Sequence, residues 1–456
     1  METSKQFKPI PRISGSPLIG NLSEFRASRL DLLLRVSREC GEIGSFRIGP
    51  LSVVVVSSAT LANSILVGHA EDFNAGAIGR LFVPLVGDKS LILQDGAPHR
   101  EQRRLLAPTF HPKRLAEFSQ CMVRYAQETL AGWKEGQLLD VNQEMTLLTM
   151  RIIGKTLFDV DFLNEASDLR EAMMLSIAHF DHMSASMPIP LSWPTARNRR
   201  AREALAILDN NIQTMIDERR GDPADRKDLL STLLQVRDDA GQPISAEQIR
   251  SHIATFFSAG HETTAVALSW LWQHLARHPE VYARVKQEVD AATGGRPPGY
   301  EDLPRLGYLQ QVIKESLRLT PPIFMLARTA VRDVEIEGYR LRKGQMVLMP
   351  PYCIHRNPEY FPDPERFLPE RFEPEREKSR PKHSYMPFGF GPHTCIGSYF
   401  AMMEIQLIMA TMIQQVDFEL PEGQHIKPEV LTVTLRPSPY EMRVKHRNRP
   451  INTAVA

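Results

Sequence analysis

The sequence predicts a mainly α chain with a small β region, and three observations carry that prediction. From Leu115 to Leu234 the pattern is almost all helical, interrupted only near Gly136, around Ser184 to Trp193 and at Gly221-Asp222-Pro223. A capping box, Ser245-Ala246-Glu247-Gln248, opens a helix that meets no proline before His278-Pro279, which makes it the longest in the chain. Strand-like alternation is short by comparison. Gly44 to Ser57 reads as two strands around Gly49-Pro50, and Ala330 to Ile336 and Gln345 to Met349 read as two more.

At 456 residues the chain can bury a large core, and no composition shift marks a boundary, so residues 1–456 are expected to form a single domain. Lys+Arg 55 against Asp+Glu 54 leaves a formal charge of +1, which offers no argument for a nucleic-acid partner. The four cysteines, at 40, 121, 353 and 395, are too scattered for a zinc cluster and too few for a disulfide scaffold, which suits a reducing, cytoplasmic setting. Met1 to Lys8 lacks a signal-peptide core and no window offers about 18 uncharged apolar residues, so a soluble protein with no membrane anchor is expected. Pro9, Pro11 and Pro17 make residues 1–22 proline-rich.

In chain order, Leu30, Leu32, Leu33, Leu34 and Val36 suit a helix between Ser28 and Glu42. Phe73 to Asp95 has no sustained period, and its Ile78, Leu81, Phe82, Val83 and Leu85 read as core or as pocket lining. His99 and Arg103 stand four apart on one helical face, spaced to reach a buried anion together, although composition alone favours a solvated basic face. Met183 to Pro190 is rich in methionine and proline, suited to a variable apolar guest or to a surface loop.

In the middle of the long helix, Ala259-Gly260-His261-Glu262-Thr263-Thr264 sets an acid and two hydroxyls in an apolar segment. Gly260 there costs up to about 1 kcal/mol of helix propensity. Such a local conflict often marks a functional site. Glu315 and Arg318, at i,i+3, form a favourable helical pair and nothing more. Thr320-Pro321-Pro322 ends that helix and forces extended chain, and Val430 to Pro437 alternates like a hairpin strand. Cys395 sits in a glycine-rich bend, Phe388 to Gly397, directly before a largely apolar run from Tyr399 to Ile413. Helix-start amides would point near its sulfur and favour a thiolate. That sulfur is a metal ligand, or a nucleophile with His393 as its base. A thiolate holding haem iron needs no base.

Phe388-x-x-Gly391-x-His393-x-Cys395-x-Gly397 fixes five positions within ten residues and is similar to the haem-thiolate signature of the cytochrome P450 monooxygenases, a family this chain resembles from the proline-rich residues 1–22, which look like the family's hinge, to the last hairpin. The resemblance implies a helical prism with a small sheet near the N-terminus and a long central helix over haem b. It implies iron ligation by Cys395, shielding of the thiolate by Phe388, and propionate contacts from His99, Arg103, Arg328 and His393, the last in place of the family's usual arginine. Ala-Gly-x-Glu-Thr-Thr matches the family's oxygen-activation motif, in which a missing helical hydrogen bond opens a groove. Thr263 would hydrogen-bond the oxygen bound at the iron and Glu262 would relay protons.

By the same resemblance Phe82, Met183, Ala259, Ile323, Phe324, Leu326 and Val433 would line a substrate pocket, and Arg371 would close on Glu315 and Arg318 in a purely structural network. The implied activity is insertion of one oxygen atom from dioxygen into a hydrophobic small molecule, by hydroxylation or epoxidation. The implied enzyme is a bacterial-type monomer drawing electrons from NAD(P)H through a separate ferredoxin or flavodoxin and its reductase. Arg100, Arg104, Lys113 and Arg114 would form the local basic patch for that partner. A peroxide-driven peroxygenase, a haem-thiolate isomerase or dehydratase, and a non-enzymatic haem sensor are the alternatives; the first two do not require the Glu262–Thr263 pair.

Overall fold

The computed structural model describes residues 7–161, 167–185, 189–221, 228–237, 241–431 and 434–447, with backbone alone at 77, 112–113, 167 and 181–185. Helix α1 (Arg29–Cys40) begins where the Ser28 side chain accepts the Asp31 amide and ends at Gly41, φ +75°. It buries Leu30, Leu32, Leu33 and Val36. Strands β1 (Ile43–Ile48) and β2 (Leu51–Val56) then pair antiparallel across a turn at Gly49, whose φ is +56°.

The sheet they start draws on both halves of the chain. Strand β3 (Phe73–Asn74) is its far edge, β4 (Leu326–Ala330) and β5 (Met346–Met349) fill the centre, and the order is β1-β2-β5-β4-β3. Only the β2–β5 pair is parallel, with Val54 opposite Val347. The sheet therefore is not a purely N-terminal feature. The alternation expected over Ala330 to Ile336 also divides: β4 ends at Ala330, and Val334–Ile336 forms a separate two-stranded piece with Tyr339–Leu341.

Helices α2 (Gly96–Leu106), α3 (Pro112–Ala131) and α4 (Val141–Ile153) lead to α5 (Ser167–Ala185) and α6 (Ala196–Gly221). Helix α7 (Ala246–Arg277) has 32 residues, a span of about 48 Å, and starts with the Ser245/Gln248 capping box. It is the axis of the main apolar core: Leu268, Leu271 and Trp272 are buried with Leu407 and Ile408 of α10 (Ser398–Gln415), and α9 (Gly307–Leu319) adds Leu309 and Val312. Helix α8 (Pro279–Thr293) follows α7 directly.

Gly260 of α7 meets α4 closely. A Cβ there would lie 2.8 Å from Cδ1 of Ile153, so this glycine serves helix packing. Strands β6 (Pro428–Val430) and β7 (Leu435–Pro437) form the last hairpin, closed by the Leu431 amide on the Thr434 carbonyl. Among the described residues no helix is long and apolar enough to cross a membrane.

Candidate active site

The Cys395 loop is built by backbone bonds. The Cys395 amide donates to the Phe388 carbonyl at 2.9 Å, Gly389 to Met386 at 3.1 Å and Thr394 to Gly391 at 3.1 Å, with the Thr394 hydroxyl on the same Gly391 oxygen at 2.8 Å. Gly389 and Gly391 have φ of +63° and +75°. A Cβ on Gly391 would stand 2.3 Å from the Leu66 carbonyl oxygen, so this glycine is required by the chain's own backbone.

Cys395 keeps solvent-exposed surface, although protein surrounds it on most sides. Burial pushes the thiol pKa up, opposed by the Gly397 amide and by Arg103. The helix-start amide is present, and burial outweighs it.

A set of cationic donors stands beside the loop. Arg103 donates to the Thr394 carbonyl at 2.6 Å, His99 and His393 stack with ring centres 4.0 Å apart, and His393 Nε2 lies 3.2 Å from Asp95. Burial, helped by His393 and Arg103, pushes the His99 pKa down to about 4. Burial also lowers Arg103 and Arg328 from the ordinary guanidinium range. Among the described residues neither guanidinium has a carboxylate within ion-pair distance. With His99 held neutral, the Arg103 and Arg328 guanidiniums stand in a cluster that holds one carboxylate, Asp95. Such a donor set is matched to additional anionic oxygens, and together with the adjacent thiol it fits a haem and its propionates.

Further contacts link the loop to α7 in a ring. A Cβ on Gly389 would meet Leu326 at 3.7 Å, Ile323 bridges to Thr434, and the Thr434 hydroxyl donates to Glu262 at 2.9 Å. On the other side Gly397 faces Phe110, which packs on Phe256 of α7 with ring centres 5.3 Å apart. Helix α7 is buried along most of its length, but Ala259 is exposed and Ser258, Gly260, Glu262 and Thr263 are half-buried, so this stretch is the accessible part of the helix between its contacts at Phe256 and Glu262. The helix stays continuous there. Its carbonyls at Ala259, Gly260 and His261 instead accept side-chain hydroxyls from Thr263 (2.8 Å), Thr264 (3.1 Å) and Thr149 (3.0 Å).

Beneath the loop, Glu315 and Arg318 are fully buried and joined by two bonds, at 2.7 and 2.9 Å. Arg371 Nε and the Leu368 amide reach the same Glu315 oxygen, and Arg318 also donates to the carbonyls of His355, Pro364 and Arg366. This satisfies the buried charges from several chain segments at once.

The expected pocket residues separate. Ala259, Ile323 and Leu326 belong to the ring, and Phe82 is half-buried against Phe180. Phe324 stands apart from the ring: it is fully buried with Leu33, Phe46 and Tyr352, in a cluster against which Met325 also packs. Val433 and the side chain of Met183 lie outside the described residues. Asp95, Thr434 and His355 join the site without having been singled out by the sequence, which offers no local pattern for a lone Asp, Thr or His.

Residues 10–444 match the profile of the Cytochrome P450 family. The chain is 36% identical to "Cyclooctatin synthase" of Streptomyces melanosporofaciens over 91% of both chains. It is 34% identical to that organism's "Cyclooctat-9-en-7-ol 5-monooxygenase" over 87% of this chain and 86% of that one, and 30% identical to "Pentalenene oxygenase" of Streptomyces avermitilis over 94% and 96%. Among solved structures, the cytochrome P450DA heme domain superposes with a TM-score of 0.89 at 27% identity over 97% of this chain and 99% of that one. Retinoic acid-bound cyanobacterial CYP120A1 does so with 0.86 at 28%, over 97% and 100%. The chain belongs to the cytochrome P450 family. It is a haem-thiolate monooxygenase with the family's fold.

Proposed function

We propose that this monooxygenase acts on a terpenoid, inserting one oxygen atom into a C–H or C=C bond, with Cys395 as the iron ligand. The carrying observation is that a chain of direct contacts links the Cys395 loop, with its cationic cluster, to α7 on both sides of the Ala259–Thr263 stretch. Names of three relatives denote terpene-modifying reactions, which supports the substrate class. Haem, when bound through the thiolate, supplies the site of dioxygen reduction. Arg103, Arg328, His99 and His393 would anchor its propionates through charge-assisted bonds. Ile323, Leu326 and Ala259 offer the substrate an apolar wall that excludes water. Glu262 holds and passes protons, and the Thr263 hydroxyl hands them on at the exposed turn of α7.

Electrons come from NAD(P)H through a separate ferredoxin or flavodoxin with its reductase, docking over Arg100 and Arg104. The chain works as a single-domain, cytoplasmic monomer without a nucleic-acid partner. A spectral titration of the ferric protein with cyclic terpenes and terpene alcohols, beside fatty acids, steroids and polyketides, tests the substrate class. Saturable spin-state shifts confined to the terpenoids are expected, and shifts confined to another class overturn it.

A further inference from the structure

Glu262 is held from outside its own helix. Its Oε1 accepts the hydroxyl proton of Thr434 at 2.9 Å, across 172 residues of chain. Thr434 is buried beside the turn of the last hairpin, and the hairpin is fixed there from two directions. The Leu435 amide donates to the Pro322 carbonyl at 2.8 Å, which pairs Thr434 with Ile323, and Trp270 Nε1 of α7 donates to the Leu435 carbonyl at 2.7 Å. One hydroxyl therefore ties the acid of α7 to the segment that carries Ile323 and Leu326.

A carboxylate on a half-buried helix turn has several rotamers, and a relay functions only in those that reach both the proton source and the acceptor. The clamped hairpin removes that freedom at one oxygen of the carboxylate. From this geometry we propose that Thr434 is the positioning residue of the proton relay, fixing the Glu262 carboxylate to the wall of the substrate pocket. The proposal rests on the relay role of Glu262 given above. It also has a consequence for the pocket: a ligand that moves the Ile323 wall moves the carboxylate with it, because the two share Thr434.

The test needs no substrate. Protein reduced by ferredoxin and its reductase consumes dioxygen, and each dioxygen leaves as hydrogen peroxide, using one NADPH, or as two waters, using two. Proton supply decides the partition, so the NADPH-to-dioxygen ratio and the recovered peroxide report the relay. In Thr434→Val the peroxide share rises several-fold and the solvent isotope effect on dioxygen consumption changes, while Thr434→Ser retains the parent's values. Thr434→Ala replaces the valine variant if that one does not load haem.

A second readout is independent of turnover. The Tm shifts of Thr434→Val and Glu262→Gln combine to less than their sum, because either change alone breaks the same bond. Parent-like partition in both Thr434→Val and Thr434→Ala, with additive Tm shifts, overturns the positioning role. If Glu262→Gln alone raises peroxide, the relay stands without Thr434; if Glu262→Gln is also parent-like, the relay reading itself falls.

Discussion

His355 joins Arg318 to the backbone of the Cys395 loop. Its Nε2 accepts the Met386 amide proton at 2.9 Å, so Nδ1 carries the ring proton and donates it to the Arg318 carbonyl at 3.1 Å. The imidazole is fully buried, and burial, with Arg318 adding to it, pushes its pKa down to about 3. A neutral ring is thus part of the support under the cysteine.

Acid should undo that support. His355 and His274 are pushed down to about 3 and His261 to about 4, all first by burial, from an ordinary 6.5. With folded values depressed, the unfolded chain binds more protons below pH 6.5. The stability these groups contribute is present above that pH and is lost as pH falls toward 4 and 3. Denaturant unfolding at pH 7.5, 6 and 5 should show stability falling with a slope approaching about 1.4 kcal/mol per pH unit for each such histidine. A flat profile above pH 5 would contradict neutral burial.

Arg318 and Glu315 are both fully buried. Arg318→Ala leaves Glu315 with only its Arg371 and Leu368 partners and frees three carbonyls. The expected loss is about 3–5 kcal/mol, read by denaturant unfolding, with less haem retained on purification.

Cys395→His should remove the red-shifted absorbance of the reduced, carbon monoxide-bound protein, whereas Cys353→Ser should keep it. Cys353 is fully enclosed, with burial pushing its thiol up to about 12, so it is poorly placed to act as a thiolate. Retention of that band in Cys395→His would assign the ligand elsewhere.

For the electron donor, Arg100 is largely exposed and already paired with Glu71 at 2.7 Å, an exposed contact worth little. Arg104 is exposed, and the side chain of Lys113 lies outside the described residues. Arg100→Glu combined with Arg104→Glu should slow reduction by an acidic ferredoxin several-fold at low salt. Reduction by dithionite should be unchanged, and the salt dependence flatter. Equal ferredoxin-supported rates at low ionic strength would move the docking face.

Much of this arrangement can be read from local sequence, and what cannot has a physical reason. The capping box gives the start of α7 because Ser245 and Gln248 bond each other within one turn. The spacing of His99 and Arg103 gives their shared face. Gly260, however, reads as a functional conflict although it accommodates Ile153, since helix–helix approach leaves no trace in periodicity. Phe324 reads as pocket by the family resemblance, but it is buried with Leu33, Phe46 and Tyr352, residues whose meeting depends on segments distant in sequence. Thr434 reaches Glu262 only through a hairpin whose placement is set by Pro322 and Trp270, both distant in sequence.

The mixed origin of the central sheet governs how the chain is made. Strand β2 pairs with β5, and the Gln345 side chain donates to the Ser52 carbonyl, 293 residues earlier. At roughly 5–20 residues per second a ribosome leaves the β2 edge waiting on the order of 15 to 60 s for its partner. An unpaired edge bearing Val53 to Val56 is a site for association with other nascent chains during that interval. The loop of Cys395 emerges later still, after the sheet's last strand. Haem capture is therefore among the final events of biogenesis, and slower translation lengthens the exposure of the valine edge without bringing forward the loop that completes the site.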